Sequence, residues 1–181
     1  MTFPLSQQAT IWFASVVLVV AAVIDGRSLR VPNWLTYSFA GLGLACSFGV
    51  SPVSPTNALL GLGLGLLLLL PLYAVGGMGA GDVKLLAGLG AWVGPALVLN
   101  AFVVSACVGA VMAIGMMAFS GSFKTHWARM KVIAVEWMTI RNPTVLAEIA
   151  AVRKPSMRLL PYGIPIAIGS VGYFAAMGLL I

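Results

Sequence analysis

The apolar residues of this chain run in long blocks, and the polar residues gather in short breaks between them. The first block covers residues 8–24 and the second 34–50, each close to the ~20 residues a helix needs to cross a bilayer. The third covers residues 57–75; Gly61, Gly63 and Gly65 favour close approach of another helix, and Pro71 favours a kink. Residues 83–119 carry no charge after Lys84 and are too long for one crossing. They divide into a fourth and a fifth span, either at Gly94-Pro95, where proline suits a first helical position, or near Asn100. With the first break, the fourth limb, residues 83–93, rises only ~16 Å at 1.5 Å per residue, which would recess Asp82 below the membrane surface. In the fifth span Ser105, Gly109 and Ala113 form a small-residue stripe at helical spacing. The sixth block covers residues 160–181. The pattern predicts an all-α polytopic membrane protein, one domain over residues 1–181, with about six transmembrane helices.

Composition agrees with that reading. Of 181 residues, 61% are hydrophobic and 8% charged, which excludes an ordinary soluble domain. A net charge of +6 can mark a nucleic-acid binder, but in a membrane protein basic loops mark the cytoplasmic side, so the partner expected is the lipid bilayer and not nucleic acid. The two cysteines, Cys46 and Cys107, lie in apolar blocks as packing residues, and there is no CxxC pair. With His126 the one histidine, no metal site is expected. No basic residue precedes Ile11, so a cleaved signal peptide is not expected.

The basic residues also fix an expected topology. Arg27 and Arg30 lie between spans one and two, Lys84 between three and four, and the rest of the ten between five and six. The positive-inside rule then puts both termini outside and all three charged breaks in the cytoplasm. The long break, residues 120–159, is too short for an independent core. Trp127, Met130, Ile133, Ala134, Trp137 and Met138 recur at helical spacing, which predicts an amphipathic helix on the inner membrane surface or capping the bundle. Arg141-Asn142-Pro143-Thr144 then breaks it.

The candidate chemistry rests on two of the four carboxylates, since Glu136 and Glu148 fall in the long polar break. Asp25 ends the first span, and Asp82 follows the glycine-rich run Gly76-Gly77-Met78-Gly79-Ala80-Gly81. Carboxylates at the edge of hydrocarbon are costly and are functional candidates for that reason. Two on one face can share a proton and activate water. The glycine run lacks the spacing of a phosphate loop; it is either a flexible turn or a place where backbones approach closely beside the carboxylate.

In combination, Asp25-x-Arg27-x-x-x-Val31-Pro32-Asn33, Gly79-x-Gly81-Asp82-x-Lys84 and Leu160-Pro161-Tyr162-Gly163-Ile164-Pro165 resemble the type IV prepilin peptidases, polytopic aspartyl proteases of the GxGD type. The resemblance runs in order through nearly the whole chain. It implies that Asp25 and Asp82 are the catalytic pair, one ionised and one protonated, acting without a cofactor. It implies a substrate, a pilin precursor whose leader precedes an apolar helix, cut at the cytoplasmic face of the bacterial inner membrane. Arg27, Gly79, Gly81, Lys84 and Tyr162 become candidates for substrate binding, although Arg27 and Lys84 equally suit lipid headgroups and Tyr162 an interfacial anchor. Family members with an added CxxC-bearing domain also N-methylate the product. This chain is similar to the short, peptidase-only form of tight-adherence pili, for which methyl transfer is not expected. Other partners implied are a second copy of the chain or pilus assembly proteins. Two readings compete: a small ion-coupled transporter, and a non-catalytic subunit of a pilus or secretion machine.

Overall fold

The computed structural model describes residues 5–74, 78–119, 131–132, 135–136, 139, 145, 149 and 161–180. The fold is all-helical, with no strand among the described residues. Helix α1 covers Leu5–Ser28, α2 Asn33–Cys46, α3 Pro55–Ala74, α4 Ala80–Phe119 and α5 Gly163–Ala176. Three of them, α1, α3 and α4, are long and apolar enough to cross a membrane. Helices α2 and α5, of 14 residues each, are shorter than a full crossing.

Local chemistry sets the ends. Pro32, extended at φ −69° and ψ 144°, stops the chain from running helically into α2. Pro55 opens α3, and the Ser54 hydroxyl accepts the Asn57 N–H at 3.4 Å as a weak cap. Gly178, with φ +68°, closes α5: the Leu179 N–H bonds back to the Phe174 carbonyl at 2.9 Å, the glycine-dependent end in which the chain turns left-handed.

Helix α4 is broken at Gly94, whose φ of 78° and ψ of 175° no other residue adopts easily, and Pro95 starts the second limb. The turn is therefore at Gly94-Pro95. Asn100 lies beyond it, and its amide donates to the Tyr173 hydroxyl at 3.0 Å. The contacts show that the chain reverses there. Gly61 meets Gly90 and Gly65 meets Leu86, so α3 runs antiparallel to the first limb. Asn100 meets Tyr173, Ser105 meets Gly169 and Gly109 meets Pro165, so the second limb runs antiparallel to α5.

The first limb of α4 is the centre of the molecule. Val83, Leu85, Leu86, Ala87, Leu89, Ala91, Trp92 and Val93 are all buried, which is why it is apolar all round. Helices α2, α3 and α5 pack on α4, and α1 packs chiefly on α5. On α1 the buried positions Ile11, Ala14, Leu18, Ala21 and Asp25 fall on one stripe at helical spacing. Trp12, Phe13, Val16, Val19, Val20 and Val23 are exposed. Large apolar side chains on the outside suit hydrocarbon as the surroundings.

Several expected details shift. Gly61 and Gly65 carry the α3–α4 approach, while Gly63, two positions from each, faces open space. Cys46 is half-buried and Cys107 is exposed on the second limb of α4, so Cys107 is not a packing residue; a small apolar side chain there suits lipid equally well. Lys131, Val132, Val135, Glu136 and Thr139 are helical, within the segment expected to form a surface helix. The apolar positions that define that helix's face, Trp127, Met130, Ile133, Ala134, Trp137 and Met138, lie outside the described residues. So do Glu148 and the break at Arg141-Asn142-Pro143-Thr144.

Candidate active site

Asp25 continues the buried stripe of α1, seven residues after Leu18 and four after Ala21, so the fold turns it inward and not to solvent. Only 2% of it is exposed. Its Oδ2 accepts the backbone N–H of Gly163 at 2.8 Å. Gly163 is the first residue of α5, where N–H groups have no partner within their own helix and the helix dipole is positive. The carboxylate thus caps a helix remote in sequence. Glycine keeps this approach free, because a Cβ on Gly163 would lie 3.0 Å from both Cβ and Oδ2 of Asp25 and would have to shift that side chain.

Asp82 is the third residue of α4 and is 5% exposed. Its Oδ2 reaches back to accept the Gly79 N–H at 3.2 Å, which is the acidic half of a capping box. The two glycines before it have separate reasons. A Cβ on Gly79 would lie 3.2 Å from that same oxygen. A Cβ on Gly81 would lie 2.7 Å from the Val31 carbonyl oxygen and 2.9 Å from the Val31 Cβ. The first glycine makes room for the folded-back carboxylate, and the second lets α4 press on the turn after α1. Gly76 and Gly77 lie outside the described residues.

Backbone contacts bring the segments of the two carboxylates together. Gly163 holds Asp25, and Gly81, next to Asp82, presses on Val31, six residues after Asp25. Tyr162 is half-buried, with its ring against Gly109 of the second α4 limb. Three elements distant in sequence, the end of α1, the first turn of α4 and the entry to α5, therefore converge at one end of the bundle.

Arg27 and Lys84 stand apart from this centre. Each is two residues beyond an aspartate, about 200° round the helix at 3.6 residues per turn. Arg27 is exposed and lies on the wall of an apolar groove between α1 and α5, with Val23, Gly26, Ile164 and Ile168. Lys84 turns to α2, where its Nζ donates to Asn33 Oδ1 at 2.9 Å and lies 4.5 Å from the centre of the Tyr37 ring. Gly163 and Val31 do work in the site that sequence reading did not assign. The signals for Gly163 were its place in the Leu160–Pro165 motif and just ahead of Pro165, which marks a helix entry whose first N–H groups are available.

Among the described residues no three of His, Cys, Asp and Glu gather as metal ligands. The arrangement offers two buried carboxylates, each oriented by a neutral backbone donor, which suits exchange of protons with a bound water and a carbonyl.

Residues 12–114 match the model of the type IV leader peptidase family. The chain is 38% identical over 104 residues to a prepilin leader peptidase/N-methyltransferase of Pectobacterium carotovorum, covering 54% of this chain and 37% of the relative. It is 38% identical over 102 residues to a protein of the same name from Xanthomonas campestris, covering 52% and 36%. It is 30% identical over 105 residues to the type 4 prepilin-like proteins leader peptide-processing enzyme of Escherichia coli, covering 54% and 39%. The match thus spans little more than a third of each relative's length. No solved structure matches the chain.

Proposed function

The chain belongs to the type IV leader peptidase family, and on that premise we propose that it is a membrane aspartyl endopeptidase that removes the leader from prepilin-like precursors. The observation that carries the reading is the convergence, at one end of the bundle, of the end of α1 with Asp25, the first turn of α4 with Asp82 and the entry to α5. The ionised carboxylate takes a proton from a water molecule while the protonated one donates to the scissile carbonyl oxygen. The resulting hydroxide adds to the carbonyl carbon. Collapse of the tetrahedral species breaks the C–N bond, and the leaving amine recovers a proton from the pair. Two close carboxylates share a proton for the reason that like charges do not readily ionise together.

The topology proposed is six passes, with α2 and α5 as short spans and the two limbs of α4 counted separately, in the bacterial inner membrane with both termini outside. Its support is the antiparallel register at Gly94 together with the one-sided distribution of Lys and Arg. That places both aspartates at the cytoplasmic face. Arg27 and Tyr162 are assigned to the substrate, Arg27 from the groove wall and Tyr162 from the entry to α5. Gly79 and Gly81 are assigned to seating Asp82, the first by leaving room for its carboxylate and the second by letting α4 approach Val31. The reaction proposed for residues 1–181 is the leader cleavage.

Prepilin cleavage in membranes tests this, comparing wild type with Asp25→Asn and Asp82→Asn at matched expression. Loss of cleavage in each variant is the expected result. If both still cut, the reading falls, and proton or ion transport becomes the next assay. If Asp25→Asn matures pilin normally yet blocks filament assembly, the chain is an assembly subunit.

A further inference from the structure

The first turn of α4 is fixed on both sides of Asp82. On one side Gly81 presses on the backbone of Val31. On the other, Lys84 is held by Asn33 and Tyr37. Asn33 and Tyr37 are four residues apart on α2, so they lie on one face, one above the other. They present a carbonyl oxygen and an aromatic face to a single ammonium. Both anchors belong to the segment that follows α1. Leu29, in the left-handed region at φ 53°, turns the chain there, and its N–H bonds to the Asp25 carbonyl at 2.7 Å. The run from Leu29 to Asn33 is thus tied to Asp25 at its start and, through Val31 and Asn33, to Gly81 and Lys84 on either side of Asp82.

We propose that Asn33 and Tyr37 are positioning residues that clamp Lys84 and thereby set the place of Asp82 relative to Asp25. Lys84 is then a strut between α2 and α4 and not a contact for the substrate. The proposal rests on the peptidase reading only for its activity readout. The geometry accounts for the choice of groups. Asn33 and Tyr37 are neutral, so they hold the ammonium without placing a third carboxylate beside the catalytic pair. Their distance from Asp82, reached through Lys84 and about half a turn of helix, means they act on where the carboxylate sits and not on its bonds.

The test uses the full chain in lipid nanodiscs, with kcat and KM for a prepilin substrate, thermal melting, and hydrogen exchange of the amides of residues 80–84. Asn33→Leu and Tyr37→Leu are each expected to lower kcat about tenfold, as a displaced catalytic group does, with KM and melting unchanged. Both are expected to speed exchange in the first turn of α4. Tyr37→Phe, which keeps the ring face over the Lys84 ammonium, should restore both readouts. Lys84→Met should match Asn33→Leu, and the double variant should be no worse than either, since all three side chains act as one unit. Wild-type kcat and exchange in Asn33→Leu and Tyr37→Leu would overturn the proposal. So would a raised KM with kcat intact in Lys84→Met, which returns Lys84 to substrate binding. If the wild type cuts nothing, the peptidase reading fails, and the exchange pattern alone still decides whether the clamp holds α4.

Discussion

Gly163 donates its backbone N–H to Asp25 Oδ2 at 2.8 Å, and a Cβ on that glycine would sit 3.0 Å from the same oxygen. One residue therefore both orients the carboxylate and leaves it space. Gly163→Ala has to move the Asp25 side chain by a few tenths of an ångström while leaving the helix entry intact. The expected outcome is a fall in kcat of about tenfold with little change in melting, since catalysis is steeply sensitive to placement and the side chain can yield. Initial rates of leader cleavage beside thermal melting check this. A stability loss with full activity per folded molecule would mean that Asp25 is not a reacting group.

Tyr162 adjoins that glycine and is half-buried at the entry to α5. Tyr162→Phe keeps the ring against Gly109 and removes only the hydroxyl. Cleavage should fall by about threefold to tenfold, as for loss of one hydrogen-bonding group worth roughly 1 kcal/mol, with melting unchanged. Wild-type cleavage by this variant would reduce Tyr162 to a packing residue.

Much of this site was readable before any coordinates, and the reasons differ from residue to residue. Asp25 and Asp82 stood out because carboxylates are scarce in an apolar chain and costly at its edges. The Gly94-Pro95 reversal was one of two candidates, and the structure selects it because only Gly94 has the unusual backbone angles. The partners of Lys84 were not readable. Asn33 and Lys84 are 51 positions apart, and their meeting depends on how α2 lies on α4. Gly61 and Gly63 looked alike in sequence, yet helical phase puts one against Gly90 and the other in open space. Sequence identifies the costly residue types, whereas packing decides which of several equivalent positions meets a neighbour.

Trp92 ties α2 to the first limb of α4. Its Nε1 donates to the Phe39 carbonyl at 2.8 Å, and its ring stacks on Phe39 with centroids 6.0 Å apart. Trp92→Phe keeps an aromatic ring but loses the donor. The expected cost is about 1 kcal/mol, a typical net value for one hydrogen bond. Trp92 lies ten residues along α4 from Asp82, a rise of roughly 15 Å, so cleavage per folded molecule should not change. Equilibrium unfolding and initial rates check the two halves separately.

The α3–α4 crossing gives the sharpest stability test. A Cβ on Gly61 would meet the Gly90 carbonyl oxygen, and one on Gly90 would meet the Gly61 carbonyl oxygen. Both obstacles are backbone, so neither can swing aside and the helices must separate. Gly61→Ala and Gly90→Ala should each destabilise by about 2 kcal/mol or more, in the range seen for overpacked interiors. Gly63→Ala, with nothing within 4 Å, should be neutral or slightly stabilising, because alanine suits a helix better than glycine. The double variant Gly61→Ala/Gly90→Ala should lose less than the sum of the two singles, since one separation of the helices relieves both clashes. Melting of the four proteins in one detergent decides it. Equal melting of the Gly61 and Gly63 variants would contradict the α3–α4 register, and with it the reversal at Gly94 that brings Asp82 to the end of the bundle shared by Asp25.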